Sequence, residues 1–136
     1  MNIEIRYATV ADKNILLSKD SHIKENIWID TINNRREIIM LIDGSFAGWL
    51  RWNLFWDEIP FMNMLYLLDE YRGKGYGTQL VKFWENEMLK LGYDKVMTSS
   101  QANEFAQHFY RKLGYQDAGS FFPFCNDLEI IFIKEL

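Results

Sequence analysis

A glycine-rich turn joins a predicted strand to a predicted helix in the middle of the sequence, and it consists of Arg72, Gly73, Lys74, Gly75, Tyr76, Gly77 and Thr78. Glycines this closely spaced let the backbone turn sharply and approach a ligand. The helix that follows has unpaired N–H groups and a partial positive charge at its first turn, which favours a bound phosphate. Arg72 and Lys74 add positive charge. We therefore predict a phosphate-binding turn.

The spacing within this turn excludes two common nucleotide-binding motifs. A P-loop requires a lysine followed by serine or threonine, whereas Lys74 is followed by Gly75. A Rossmann fingerprint requires two residues between its second and third glycines, whereas one residue separates Gly75 from Gly77. The ligand is therefore expected to be a phosphate compound of another kind.

Hydrophobic periodicity predicts the other elements. Strands are predicted at 3–7, 37–42, 46–52, 62–68, 95–99, 115–122 and 128–133. Long helices are predicted at 80–91 and 105–113, and two short helices near the N-terminus are expected to be capped by Thr9 with Asp12 and by Ser21. Asp43-Gly44 predicts a hairpin, and Pro60 and Pro123 are placed between elements. The order β-α-α-β-β-β-α-β-α-β-β predicts an α/β (α+β) fold, with a mixed sheet flanked by helices.

The bulk composition fits one domain over residues 1–136. Hydrophobic residues make up 49% of the chain, and the net charge is -4, which argues against a broad nucleic-acid surface. No apolar run is long enough to cross a bilayer, and no signal-peptide pattern is seen. Cys125 is the only cysteine and is interpreted as an incidental thiol. We expect a cytoplasmic protein that binds neither nucleic acid nor membrane.

A second motif lies downstream of the glycine-rich turn, and it comprises Asn103, Ala106, Phe109, Tyr110, Leu113, Gly114 and Tyr115. The first motif, Arg-x-x-Gly-x-Gly at Arg72, Gly75 and Gly77, resembles the acetyl-CoA pyrophosphate loop of the GNAT superfamily of N-acetyltransferases. The second resembles a later helix of the same superfamily. The two occur in the expected order, so the chain looks like a single GNAT-like acyltransferase domain.

The resemblance implies where acetyl-CoA, the expected co-substrate, would lie. The parallel strands at 62–68 and 95–99 would splay apart, and the pantetheine arm would pair with the backbone of Leu65 and Leu67. Amides of residues 72–78 would hold the pyrophosphate, and Phe109 would pack against the coenzyme. Asn103 would either hold the arm or cap the helix that follows.

The resemblance also implies a reaction, transfer of acetyl to a primary amine by direct attack in a ternary complex. Tyr110 is the expected general acid for the leaving thiolate, with a core aromatic as the other interpretation, and the N–H of Leu67 is the expected oxyanion donor. Strand 62–68 has no carboxylate, unlike many relatives, so Glu58 is a tentative base. The other candidates for the base are Asp57, Asp127, Glu129 and a water held by Asn63.

The acceptor cannot be identified from the sequence beyond an amine-bearing small molecule or peptide. Phe55 and Trp56 either wall the acceptor pocket or make core or dimer contacts. The histidines lack partners at metal-ligand spacing, so no metal site is predicted. A monomer or a homodimer is expected. A non-catalytic acyl-CoA-binding module and a partner-binding domain that uses the tryptophans are the alternative functions.

Overall fold

The computed structural model describes residues 1–136 and contains a mixed seven-stranded sheet of order β1-β2-β3-β4-β5-β7-β6. The strands are β1 Ile3–Tyr7, β2 Glu37–Ile42, β3 Ser45–Phe55, β4 Ile59–Leu67, β5 Lys95–Gln101, β6 Gln116–Phe124 and β7 Asp127–Glu135. The helices are α1 Lys13–Lys19, α2 Glu25–Asn33, α3 Tyr76–Lys90 and α4 Ala106–Lys112. This element order and the mixed sheet confirm the predicted fold class. No helix is both long and apolar enough to span a membrane.

The chain divides into two compact units, the first made of Met1–Asn53 with Met64–Phe83 and the second of Leu54–Asn63 with Trp84–Leu136. In the first unit, β1, β2 and β3 are antiparallel neighbours. Its main apolar cluster joins α1 and α2 to the sheet through fully buried side chains, which include Leu16, Trp28, Ile39 and Trp49. The predicted Thr9–Asp12 capping box is present at the entry to α1.

A buried ionic group also holds the first unit together. The Nε of Arg51 donates a 2.7 Å hydrogen bond to Asp20, and the indole of Trp49 donates to the same carboxylate oxygen at 3.2 Å. Glu37 lies directly across the sheet from Arg51, and neither of its oxygens has a hydrogen-bond partner. Burial raises the pKa of Glu37 to about 8, although neighbouring Arg51 opposes the shift.

In the second unit, β5 pairs antiparallel with β7 along the whole of β5, and β6 pairs with the outer edge of β7. β4 pairs in parallel with β5 at Phe61 with Met97 and at Met62 with Thr98. On one face of these strands, Glu85 of α3 accepts hydrogen bonds from the Tyr115 hydroxyl at 2.8 Å and from Lys134 at 3.0 Å. These bonds satisfy a carboxylate that is only 7% exposed.

A β-bulge explains why one predicted strand face is wrong. Met40 pairs with Gly48 and Leu41 with Phe46, so Ala47 is an extra residue in β3. Strict alternation predicts Phe46 on the face of Leu50 and Trp52. Instead, the Phe46 ring stacks on Trp49 at 6.0 Å, on the face that packs against α1 and α2.

Several element ends also differ from the prediction. α2 begins at Glu25 with Lys24 as N-cap, so Ser21 does not cap it. Pro60 is the second residue of β4, and Pro123 lies in β6, the strand at the edge of the sheet. Proline is tolerated at both places because a strand start and an edge strand need not donate every N–H. The placement of both prolines between elements was therefore wrong.

Candidate active site

The glycine-rich turn connects the end of β4 to the start of α3 in the first unit. Gly73 and Gly75 adopt φ angles of 72° and 88°, a left-handed region that favours glycine. The N–H of Gln79 donates to the carbonyl of Gly75 at 3.2 Å, which is the first hydrogen bond of the helix. The amides of Tyr76, Gly77 and Thr78 therefore precede the helical hydrogen-bond ladder and form a ready anion site.

The two cations of the turn donate hydrogen bonds to backbone carbonyls just before the turn. The Nε of Arg72 donates to the carbonyl of Leu67 at 2.9 Å, and its guanidinium also pairs with Asp69 at 2.9 Å and lies 4.8 Å from the centre of the Tyr66 ring. The ammonium of Lys74 donates to the carbonyl of Glu70 at 3.1 Å. Both side chains therefore brace the turn, a role that the sequence analysis did not predict.

Tyr76, which belongs to the predicted turn, and Gly48, which the sequence analysis did not single out, also shape the turn. Tyr76 is buried, its ring meets Tyr71 edge-on at 6.4 Å and its hydroxyl contacts the sulfur of Met1, so it anchors the first residue of α3. Gly48 of β3 lies so close to β4 that a Cβ there would collide with the Tyr66 carbonyl oxygen and with Leu67. A glycine inside a predicted strand was the available signal for this close approach.

Tyr110 lies in α4 of the second unit and is only 6% exposed. Its ring packs 5.9 Å from that of Phe132 and 5.7 Å from that of Tyr115. Burial is the main reason that the pKa of Tyr110 is raised to about 12. Glu104 and Glu129 raise this pKa further, whereas a hydrogen bond with Thr98 opposes the rise. The phenol is therefore protonated near neutral pH and can act as a donor.

Asn103 and Phe109 both precede Tyr110 in the chain. Asn103 is exposed in the loop before α4, whose N-cap is Phe105 without a side-chain cap bond, so of the two alternatives for Asn103 the capping one was wrong. Gln107 holds the loop instead, because its amide donates to the carbonyls of Ala102 at 2.7 Å and of Glu104 at 2.9 Å. Phe109 is half-buried, and its ring lies 5.4 Å from that of Tyr110.

The candidate bases occupy different places in the second unit. Glu58 is exposed in the turn before β4. Glu58 lies four positions before Met62 in the chain, which corresponds to about 13 Å of extended backbone at ~3.3 Å per residue. Met62 is the residue of β4 that is linked to Tyr110, because its carbonyl accepts a 3.0 Å hydrogen bond from Thr98, and Thr98 is also hydrogen-bonded with Tyr110. Glu129 is half-buried in β7 and accepts a 2.7 Å hydrogen bond from Ser99.

The aromatic residues before β4 separate into core and surface. Trp49 and Trp52 are buried. Trp56 is 76% exposed and follows Phe55 into a tight turn, in which Trp56 and Asp57 adopt φ angles of 54° and 60°. Positive φ at two successive non-glycine residues is uncommon. The Phe55 ring contacts Phe61 at 6.3 Å, so Phe55 belongs to the sheet surface of the second unit.

The predicted residues fall into two groups. Leu65, Leu67 and the turn at residues 72–78 lie in the first unit, whereas Glu58, Asn103, Phe109 and Tyr110 lie in the second. Cys125 is exposed in the hairpin between β6 and β7. No group of three or more His, Cys, Asp or Glu side chains is arranged to hold a metal ion.

Comparison with known proteins identifies the family. The model of the acetyltransferase (GNAT) family matches residues 6–115, which is most of the chain. The chain therefore belongs to the GNAT family of acetyltransferases. No curated protein matches the sequence.

Solved structures share the fold at low sequence identity. A GNAT-family acetyltransferase from Bacillus cereus ATCC 10987 has a TM-score of 0.80 and 22% identity, over 99% of this chain and 98% of that one. The ribosomal-protein-S18-alanine N-acetyltransferase from Escherichia coli has a TM-score of 0.80 and 16% identity, over 98% and 94%. A GNAT-family acetyltransferase from Elizabethkingia anophelis with acetyl-CoA bound has a TM-score of 0.78 and 16% identity, over 99% of each chain.

Proposed function

We propose that this protein is an N-acetyltransferase that moves an acetyl group from acetyl-CoA to a primary amine, and that residues 1–136 act as one GNAT-like domain. The observation that carries the proposal is the turn before α3, where two glycines with positive φ lead into the free amides of a helix start. Acetyl-CoA bound to a similarly folded GNAT acetyltransferase supports the choice of coenzyme.

The coenzyme is held by main-chain groups in this proposal. The amides of residues 72–78 bind the pyrophosphate, because they precede the hydrogen-bond ladder of α3. The backbone of Leu65 and Leu67 pairs with the pantetheine arm. Asn103 holds the arm near its reactive end, and Phe109 packs against the coenzyme. Arg72 and Lys74 keep the turn in shape through their bonds to Leu67 and Glu70.

The chemistry is a direct attack in a ternary complex. The amine nitrogen attacks the thioester carbonyl carbon, a C–N bond forms, the C–S bond breaks, and the sulfur leaves with the electron pair of that bond. The N–H of Leu67 donates to the oxyanion. The hydroxyl of Tyr110 gives its proton to the leaving thiolate, and its raised pKa keeps that proton in place until transfer.

The base must remove one proton from the ammonium group so that the nitrogen lone pair can attack, and the second N–H proton lost as the amide forms replaces the proton that Tyr110 donates. Glu58 is the base that the sequence predicts, and it is proposed to act through water molecules that relay the proton. Glu58→Gln is expected to lower the rate most at acidic pH, where the amine is protonated. An unchanged pH–rate profile in this variant would exclude Glu58.

The acceptor is proposed to be an amine-bearing small molecule or peptide, and the protein is proposed to work in the cytoplasm as a monomer or homodimer without nucleic acid or membrane. The Escherichia coli protein of the same fold is named for acetylation of an alanine on a ribosomal protein, which supports an amine acceptor in general terms. No metal takes part in the proposed reaction.

The experiment that tests the function measures release of free thiol from acetyl-CoA with a panel of primary amines. Amine-dependent thiol release, with the acetylated amine identified by mass spectrometry, is the expected result. Acetyl-CoA binding without turnover for any amine would favour the second candidate, a non-catalytic acyl-CoA-binding module. The absence of a carboxylate from β4 is the observation that favours this second candidate.

A further inference from the structure

The two faces of the sheet in the second unit differ in how far their side chains are buried. On one face, Val96, Thr98 and Phe132 are at most 1% exposed, and α4 packs there through Tyr110 and Arg111. The opposite face, which we name the open sheet face, carries side chains that are half-buried or exposed, apart from Met97, which is buried. By the register of β4, β5, β7 and β6, it comprises Phe61, Ser99, Gln101, Glu129, Ile131, Ile133 and Phe121.

Glu129 is the carboxylate that lies beside Ser99 on this face, and it lacks a cationic partner. Its Oε2 accepts the Ser99 hydrogen bond at 2.7 Å, and no ion pair involves either oxygen. Ile131 lies two residues away on the same strand face, and Phe121 lies directly opposite on β6. A half-buried carboxylate beside apolar side chains is costly unless a cation compensates it. This arrangement is complementary to a positive charge attached to an apolar body.

The position of Glu129 also suits the proposed chemistry. Ser99 brings the Glu129 carboxylate to the level of β5 next to Thr98, the residue that bonds to Tyr110 on the opposite face. Glu129 and Tyr110 are close enough for the carboxylate to affect the phenol electrostatically. Glu129 would therefore bind the amine from one face of these strands, and Tyr110 would protonate the leaving thiolate from the opposite face.

We propose that the open sheet face is the acceptor site, that Glu129 binds the acceptor's ammonium group, and that the acceptor is a primary amine on an aromatic or alkyl body. The apolar body lies against Ile131, Phe61 and Phe121. This inference rests on the proposed acetyl transfer for the identity of the coenzyme reaction, but the binding of the amine itself does not depend on turnover.

The test uses two small amines of equal charge and unequal apolar surface, phenethylamine and ethanolamine. Acetylation of phenethylamine is expected to have a kcat/KM about tenfold or more above that of ethanolamine. Glu129→Gln is expected to lower kcat/KM for both amines by about tenfold or more, mainly through KM. Phe121→Ser should lower the value for phenethylamine alone. Glu135→Gln is the matched control, because Glu135 lies further along the same face of β7 and is exposed.

Equal use of the two amines, or a Glu129→Gln variant within twofold of the wild type, would overturn the proposal. Failure of the enzymatic function is distinguished by titrating phenethylamine calorimetrically into the wild-type protein saturated with coenzyme A. Binding that is lost in Glu129→Gln and kept in Glu135→Gln supports the acceptor site even without turnover. Absence of phenethylamine binding to the wild type would overturn it.

Discussion

The guanidinium Nε of Arg72 donates a 2.9 Å hydrogen bond to the carbonyl oxygen of Leu67, which closes the turn between β4 and α3. Leu67 is the last residue of β4, so this bond ties the strand end to the turn that is proposed to hold the pyrophosphate. Arg72 therefore stabilises the shape of the turn, in addition to any charge that it offers to the coenzyme.

Arg72→Lys and Arg72→Gln separate these two roles. If the geometry of the guanidinium is what matters, both variants should weaken acetyl-CoA binding by about tenfold, because neither can donate through Nε while also pairing with Asp69. Dissociation constants from calorimetric titration give the comparison. Wild-type affinity in Arg72→Lys, together with a loss in Arg72→Gln, would show that charge alone is required.

Tyr110→Phe removes the proposed proton donor while keeping the ring that packs against Phe132 and Tyr115. The turnover number is expected to fall by about 10²-fold, a typical contribution of general acid catalysis. The KM for acetyl-CoA should stay within about twofold of the wild type. Steady-state thiol release measures both quantities. An unchanged turnover number would leave Tyr110 only its role as a core aromatic.

Glu37 predicts an unusual dependence of stability on pH. Its pKa is raised to about 8 in the folded protein, above its ordinary value of 4.5, so between these pH values the folded state holds a proton that the unfolded state releases. The contribution of Glu37 to the free energy of unfolding should therefore fall with rising pH across this window, with a slope approaching about 1.4 kcal/mol per pH unit.

Glu37→Gln mimics the protonated carboxyl and should remove this contribution. Urea unfolding at a series of pH values is expected to show the variant gaining on the wild type as the pH rises from about 5 to 8. The pKa of Asp12 is lowered by its hydrogen bonds with Arg6, so Asp12 contributes in the opposite direction below about pH 4 in both proteins. Parallel stability curves for variant and wild type would contradict the raised pKa of Glu37.

We expect a large loss of stability when Arg51, one partner of the buried Arg51–Asp20 ion pair, is replaced. Arg51→Met would leave the carboxylate of Asp20, whose side chain is fully buried, without its cation. The expected cost is about 3–5 kcal/mol in the free energy of unfolding. The double variant Asp20→Asn/Arg51→Met should recover part of this loss. A cost below about 1 kcal/mol for Arg51→Met would show that Asp20 finds another partner or takes up a proton.

The order of the elements could be predicted because periodicity and turn residues are local signals. The hairpin at Asp43-Gly44 could be predicted because both residues tolerate positive φ, and both have positive φ in the structure. The family could be recognised because two motifs of fixed spacing surround one helix and one strand. These features depend on residues close together in the chain.

Other features depend on contacts between distant segments, and the sequence could not reveal them. The bulge at Ala47 reversed the predicted face of Phe46 because it is set by pairing with β2. The Asp20–Arg51 pair joins residues 31 positions apart. Glu129 was one of several candidate carboxylates until the register of β5 and β7 placed it next to Ser99.

The central claim is that the turn before α3 binds the pyrophosphate of acetyl-CoA, and Gly75 offers a matched pair of variants to test it. Gly75 has a φ of 88° and open space around its Cβ position. Asparagine and aspartate tolerate this backbone region better than other residues and differ in charge rather than size. Gly75→Asn and Gly75→Asp therefore share the backbone cost, and only the second places a negative charge beside the phosphates.

Calorimetric titration of acetyl-CoA into the wild type and these two variants is the most direct measurement. The account predicts micromolar binding by the wild type, weaker but measurable binding by Gly75→Asn, and a further loss of about tenfold or more in Gly75→Asp from charge repulsion. No binding to the wild type at millimolar acetyl-CoA, or equal affinities of the two variants, would contradict the account.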